Sequence, residues 1–238
     1  MSLAENIAGV RARIDAAARE VGRRPEEITL VAATKVQTSD TIRQAIAAGI
    51  TVCGENRVQE MTAHLDDDAY AGAALHFIGH LQTNKVKYVV GRVDMIESVD
   101  SPHLLEAVEA QAAKLDLIQD ILLEINVGGE ASKSGAAPEK ALELARLTVQ
   151  MPHVRLRGLM AIPPAARIPG ENRHFFAEMY HLYVDIRTAL DHNGTDMDCL
   201  SMGMSGDYED AVREGATHVR VGTALFGPRP PMTKQSQG

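Results

Sequence analysis

The chain has no tryptophan, two cysteines and an aromatic content of only 4%. It also has no run of about 18 apolar residues, so no segment has the length and hydrophobicity of a membrane-spanning helix. Basic residues are fewer than acidic ones, and the formal net charge is −8. Non-specific nucleic-acid binding needs a basic surface. The sequence therefore predicts neither a nucleic-acid partner nor a membrane partner.

The N-terminal segment and the cysteines indicate a compartment. The segment MSLAENIAGVRARIDAAAREVG is charged and amphipathic, and lacks the apolar core of a signal peptide. Cys53 and Cys199 lie in apolar, strand-like contexts, where we expect buried free thiols rather than a disulfide. We therefore expect a cytoplasmic protein.

Strand-like and helix-like patterns alternate along the chain. Its 238 residues, 45% of them hydrophobic, suffice for one large or two small globular domains. An amphipathic N-terminal helix comes first, and about eight strands follow, each with a helical segment after it. Such alternation predicts an α/β fold with a parallel sheet. Eight units in about 200 residues fit a (β/α)8 TIM barrel with an extra N-terminal helix.

The alternative is a doubly wound open sheet. That fold usually has a glycine-rich turn after its first strand. Here the turn reads TKVQTSD and has no glycine, which favours the barrel. No repeat or linker divides the chain. We expect one domain over residues 1–230 and a disordered tail at 231–238.

A single lysine follows the first predicted strand, in the stretch ITLVAATKVQTSD. In a barrel, Lys35 would project into the active face at the carboxyl ends of the strands. Apolar surroundings lower the pKa of a lysine, and a neutral amine can attack an aldehyde to form a Schiff base. The alternative interpretation is a lysine that extends to solvent from a strand end.

The loops after the last two strands, LSMGMSGD and RVGTALFG, have the composition of a phosphate site. The corresponding loops form the usual phosphate cradle of such barrels. Ser201 and Ser205 offer hydroxyls, while Gly222 and Thr223 begin a short helix whose N–H groups attract an anion. Together with a lysine, the loops predict a phosphorylated carbonyl ligand. Pyridoxal 5′-phosphate (PLP) and a sugar-phosphate aldolase substrate both fit at this point.

Longer motifs make the resemblance specific. From about residue 28 to 229, the chain resembles the PLP homeostasis protein family (YggS/PROSC type). The resemblance rests on the motifs VAATKVQ, GENRVQE, HFIGHLQTNK, EINVGGEASKSG, LRGLMAI and LSMGMSGDYEDAVREGATHVRVGTALFG. It implies a single-domain barrel similar to the N-terminal domain of bacterial alanine racemase, which is a fold-type III PLP protein.

The resemblance also implies roles for individual residues. Lys35 would carry PLP as an internal aldimine. The phosphate would be held by Ser201, Ser205, Gly222 and Thr223; Arg220 would face the pyridine nitrogen; Asn56 and Met160 would line the ring pocket. Arginine keeps its proton, so Arg220 would leave the pyridine neutral and a weak electron sink. No catalytic residue and no metal ligand is predicted. His80 matches the family but has no assigned role.

The implied function is PLP binding for intracellular PLP (vitamin B6) homeostasis, with indirect effects on amino-acid and keto-acid metabolism. PLP-dependent apoenzymes are the candidate recipients, and we expect a monomer or weak dimer. Lys133, in SKSG, is a second amine that could accept PLP in transit.

Enzymatic alternatives remain open. One is a weak amino-acid racemase or other fold-type III PLP enzyme, and another is a Schiff-base aldolase acting on a sugar phosphate. Racemisation needs a second acid/base on the opposite face. The resemblance implies that alanine racemase takes it from a tyrosine of an added domain. We find no such domain here and no tyrosine with an obvious claim to the role, which favours a carrier.

Overall fold

The structure is a computed structural model that describes residues 2–130, 134–190 and 197–228. Lys133 and the predicted tail at 231–238 lie outside these ranges. Within the described residues, no helix has both the length and the apolar character needed to cross a membrane.

Eight parallel strands close into a barrel in chain order, because β1 pairs with both β2 and β8. The strands are β1 Thr29–Ala33, β2 Val52–Glu55, β3 Ala74–Phe77, β4 Met95–Val99, β5 Gln119–Ile125, β6 Val154–Ala161, β7 Cys199–Ser201 and β8 His218–Val221. The closure confirms the predicted (β/α)8 barrel and rules out the open doubly wound sheet.

Helices cover the outside of the barrel. The α-helices are α1 Leu3–Glu20, α2 Ser39–Ala47, α3 Val58–Asp66, α4 Pro102–Lys114, α5 Ala141–Thr148, α6 Arg173–Leu190, α7 Tyr208–Arg213 and α8 Thr223–Phe226. Short 3₁₀ helices span Pro25–Glu27, Thr83–Tyr88 and Pro138–Lys140. The helical segment predicted after β3 is thus a six-residue 3₁₀ helix, Thr83–Tyr88, and not an α-helix. Such short pieces suit connections between strands.

The extra N-terminal helix is present and packs against α7 and α8. Ser2 and Glu5 form a capping box at the start of α1. Its buried face, which includes Ile7, Val10 and Ile14, joins the main apolar core. Asn6 Nδ2 also donates to the carbonyl of Leu225 at 2.8 Å. This hydrogen bond therefore links α1 to α8.

Alternate residues of each strand face two different interiors. One set packs against the helices and forms a large apolar core, with Leu30 and Ile121 among its members. The other set faces the barrel lumen, where a small apolar cluster of Met95, Leu122, Met160 and Cys199 lies beside buried polar groups. Both Cys53 and Cys199 are buried free thiols.

Candidate functional site

A cavity of about 340 Å³ opens where the strands end at their carboxyl termini. Its lining residues are Ala33, Lys35, Asn56, Ile78, Gly79, His80, Glu124, Ser134, Ile162, Met204, Ser205, Gly206, Arg220, Gly222 and Thr223. A larger cavity of about 550 Å³ lies on the helical shell between the ends of α4 and α5, but Lys35 and the two predicted phosphate loops do not contribute to it. The smaller cavity is therefore the candidate functional site, because Lys35 and the two predicted phosphate loops line it.

Lys35 reaches this cavity because the chain turns sharply after β1. The backbone N–H of Thr34 donates to the Gly54 carbonyl at 3.0 Å, and the N–H of Gln37 closes the turn on the Thr34 carbonyl at 3.0 Å. The Thr34 hydroxyl donates to Glu55 Oε1 at 2.6 Å. These bonds fix the residues on both sides of the half-buried Lys35, so the turn holds the amine at the barrel mouth.

Two backbone N–H groups converge on one hydroxyl in the loops after β7 and β8. Ser205 Oγ accepts from the N–H of Gly222 at 3.1 Å and from the N–H of Ala224 at 3.3 Å. At Gly206 a Cβ would meet nothing within 4 Å, so the cavity is open beside this group. Converging N–H donors with a nearby hydroxyl suit a phosphate oxygen. Thr223, also on the wall, is exposed at the entrance.

Arg220 supplies a buried positive charge on the cavity wall. The residue is 4% exposed. One guanidinium nitrogen, Nη1, donates to Ser201 Oγ at 2.6 Å, and the other, Nη2, donates to the Ala161 carbonyl at 2.8 Å. Burial lowers the pKa of Arg220, but an arginine keeps its proton in proteins. The group is therefore a fixed donor to any acceptor in the cavity.

Two predicted site residues lie beneath the cavity instead of on its wall. Ser201 is fully buried, and its hydroxyl donates to Glu97 Oε2 at 2.6 Å while accepting from Arg220. Met160 is also fully buried in the lumen cluster. The two residues are register partners on β6 and β7, where Ser201 is the last residue of β7, and neither is among the residues that line the cavity. The structure thus places Ser201 against Arg220 and Met160 in the apolar lumen cluster, while their predicted roles at the phosphate and the ring stay predictions.

Asn56 lies on the cavity wall with a buried side-chain oxygen. Its Oδ1 is buried and has no hydrogen-bond partner among residues 2–130, 134–190 and 197–228. The position is fixed by close packing, because a Cβ at Gly79 would lie 2.2 Å from the Asn56 carbonyl oxygen. An unpartnered buried polar atom beside a cavity is a natural contact for a ligand.

The structure adds a carboxyl group that the sequence interpretation missed. Glu124 is 4% exposed on the cavity wall and accepts from the Ser134 hydroxyl at 3.1 Å. Burial, and then the nearby Asp100, raise the pKa of Glu124. A glutamate inside the apolar strand DILLEINV was the available signal. His80, matched without a role, lies on the exposed rim of the same cavity.

The fold and site define a class of protein. It is a parallel barrel whose carboxyl end combines an amine, converging N–H donors, a buried arginine and a buried amide oxygen. A phosphorylated aldehyde with a ring acceptor fits this donor set. Lys35, Asn56, Ser205, Arg220, Gly222 and Thr223, six of the eight predicted residues, line one cavity.

Comparisons with known proteins make the class specific. The family described as "Alanine racemase, N-terminal domain" matches residues 6–230. The pyridoxal phosphate homeostasis protein of Aquifex aeolicus is 40% identical over 233 residues, covering 96% of this chain and 99% of that protein. That of Pseudomonas aeruginosa is 41% identical over 228 residues, covering 96% of each chain. The structure of PipY from Synechococcus elongatus "with PLP bound" superposes with a TM-score of 0.83 at 32% identity, covering 95% of this chain and 100% of PipY. The chain belongs to the alanine racemase N-terminal domain family and, within it, to the pyridoxal phosphate homeostasis proteins.

Proposed function

We propose that this chain binds PLP for intracellular PLP homeostasis, with Lys35 holding the cofactor as a Schiff base. One observation carries the proposal: Lys35, the Ser205–Gly222 donors and Arg220 line a single cavity at the carboxyl end of the barrel. PLP, when bound, supplies an aldehyde that reacts with amines and a ring that accepts electrons.

Each protein group has a role in this proposal. The amine of Lys35 forms the covalent link. The N–H groups of Gly222 and Ala224, with the hydroxyls of Ser205 and Thr223, bind the phosphate. Arg220 donates to the ring nitrogen.

The buried arginine supports a carrier rather than an efficient enzyme. Because Arg220 donates a hydrogen bond but keeps its proton, the ring nitrogen stays neutral, which weakens the electron sink needed for carbanion chemistry. We propose that the protein holds PLP, delivers it to PLP-dependent apoenzymes and so affects amino-acid and keto-acid metabolism indirectly. We also propose that it works in the cytoplasm, which its two free thiols support, as a monomer or weak dimer.

One observation favours a second candidate, a weak amino-acid racemase or another fold-type III PLP enzyme. Glu124 is a carboxyl group with a raised pKa on the cavity wall, and such groups can move protons. Incubating the PLP-loaded protein with L-amino acids in deuterated water separates the two candidates. A carrier gives no more Cα exchange than free PLP. Exchange above that level that is lost in Glu124→Gln would favour the enzyme.

The covalent link is tested by reducing the PLP-loaded protein with borohydride and mapping the modified peptide by mass spectrometry. We expect the adduct on Lys35 and its loss in Lys35→Ala. Lys87→Ala, which removes an exposed lysine of the Thr83–Tyr88 turn, is the matched control and should load normally. An adduct that persists at full stoichiometry in Lys35→Ala would overturn the assignment.

A further inference from the structure

A chain of hydrogen bonds crosses the barrel lumen beneath the cavity. Glu97, on β4, is fully buried, and both of its carboxylate oxygens have partners. His76 Nδ1 lies 2.7 Å from Oε1, and the Ser201 hydroxyl donates to Oε2 at 2.6 Å. Ser201 in turn accepts from Arg220 Nη1 at 2.6 Å. Glu97 therefore connects through one hydroxyl to the arginine on the cavity wall.

The groups that face Glu97 favour its charged form. Burial alone raises the pKa of Glu97, but the hydrogen bond from His76 and the charges of His76 and Arg220 bring it down to about 2. His218 stacks on His76 with ring centroids 6.0 Å apart. Desolvation lowers the pKa of His218 to about 4, so this ring is neutral at neutral pH. The carboxylate is thus the countercharge of Arg220, whose Nη1 lies 3.8 Å from Oε2.

Stability alone does not account for this arrangement. Replacing a buried ion pair by well-packed apolar residues is often neutral or stabilising. The lumen also contains an apolar cluster of Met95, Leu122, Met160 and Cys199, so apolar packing is possible there. The hydrogen bonds from Glu97 lead through Ser201 to Arg220. Of these three residues, Arg220 is the one that lines the cavity and can contact a ligand.

We propose that Glu97 is a positioning residue for the ring nitrogen of the cofactor, acting through Ser201 and Arg220. An arginine has five N–H donors, of which one on each terminal nitrogen is directed to Ser201 and Ala161. These two bonds orient the planar guanidinium, so that its other donors keep a fixed direction toward the cavity. Glu97 holds Ser201 in the orientation that accepts from Arg220 and compensates the buried charge.

This inference rests on the proposed PLP function, and its test compares two ligands. The first is PLP, and the second is an analogue in which a C–H group replaces the ring nitrogen. The variants are Ser201→Ala, which breaks the bridge, and Glu97→Gln, which removes the charge. Ser98→Ala is the matched control, because the Ser98 hydroxyl is equally buried on β4 and has no partner within the described ranges.

We expect Ser201→Ala and Glu97→Gln to bind PLP about 10-fold more weakly, as for a lost hydrogen bond to a charged group. The same variants should bind the analogue as well as the unmodified chain does, because the analogue has no acceptor for Arg220. Ser98→Ala should match the unmodified chain with both ligands. If Glu97→Gln folds poorly, Ser201→Ala carries the comparison, since it keeps the ionised glutamate.

Three outcomes would overturn the inference, and they differ from one another. Equal losses for PLP and the analogue would make Glu97 and Ser201 merely structural. Unchanged PLP binding in both variants would remove the connection to the cofactor. Failure of the unmodified chain to bind PLP at all would reject the proposed function, and the inference with it.

Discussion

Glu55 and Glu97 are both fully buried, yet they lie on opposite faces of the barrel wall. Glu55 is the last residue of β2 and faces the helices. Its Oε1 accepts hydrogen bonds from the hydroxyls of Thr34 at 2.6 Å and Tyr70 at 2.9 Å, and it lies 3.3 Å from His64 Nδ1. Its other oxygen, Oε2, has no partner in the part of the chain that the structure describes. Glu97 faces the lumen and has partners on both oxygens.

The difference shows that burial does not by itself set the charge of a carboxyl group. Desolvation raises the pKa of Glu55, and its neighbours only partly offset this effect. At Glu97 the hydrogen bond and the positive charges exceed the desolvation cost, and the pKa falls to about 2. Glu55 supports the turn before Lys35 as a polar neighbour of Thr34. Glu97 acts as an ion, which fits its connection to Arg220.

The largest expected effect is the loss of stability in Glu97→Gln, which is compared with Glu55→Gln. Glu97→Gln leaves Arg220 buried without its countercharge, so we expect the free energy of unfolding to fall by about 3–5 kcal/mol. Glu55→Gln keeps the acceptor Oε1, and burial already disfavours the charged form of Glu55, so we expect a smaller change, of about 1 kcal/mol. Urea unfolding of both variants at neutral pH measures the difference. Equal losses would contradict this difference between the two sites.

The acid limb of stability gives a second, somewhat smaller effect. The pKa of Glu97 is about 2 in the folded chain against an ordinary value of 4.5. A lowered folded pKa stabilises the protein above the ordinary value, and this stabilisation is lost as the pH falls from about 4.5 toward 2. We expect it to contribute about 3 kcal/mol above that window. Glu97→Gln should therefore flatten the acid limb of a plot of unfolding free energy against pH.

For Glu55, the expected dependence of the unfolding free energy on pH has the opposite sign. Its raised folded pKa means that ionisation favours the unfolded chain as the pH rises above the ordinary carboxyl range. Glu55→Gln should thus gain stability relative to the unmodified protein as the pH rises. A loss over the same range would show that Glu55 is ionised and paired in the folded chain.

The sequence predicted the features that depend on neighbouring residues. The apolar strand before Lys35 and the serine- and glycine-rich loops after β7 and β8 are local patterns, and they placed Lys35, Ser205 and Gly222 on one cavity. The depth of a residue in the lumen is not local. Met160 and Ser201 are register partners on β6 and β7 and do not line the cavity, a placement that no local sequence pattern indicates.

Local sequence patterns could not predict the hydrogen bonds that connect Glu97 to Arg220. Ser201 and Glu97 are 104 positions apart in the chain, and His76 and Glu97 are 21 apart. Only the closed barrel brings them together. The sequence showed merely a glutamate inside the apolar stretch MIESV, a position where tertiary contacts decide whether the group is ionised.

The smallest expected change in stability concerns the turn at residues 34–37, which is hydrogen-bonded to Glu55. Val36, next to Lys35, has φ of 59° and is 48% exposed. A β-branched residue is strained in this left-handed region, whereas asparagine tolerates it. We expect Val36→Asn to raise the free energy of unfolding by about 1 kcal/mol, and Val36→Thr, which keeps the branch, to give no gain. Equal stability of the two variants in urea would remove strain as the explanation. The hydrogen bonds of Thr34 to Gly54 and Glu55 hold the turn in this conformation. Glu97 lies on the other face of the barrel wall, so we expect the stability gain of Val36→Asn to be the same in the Glu97→Gln background.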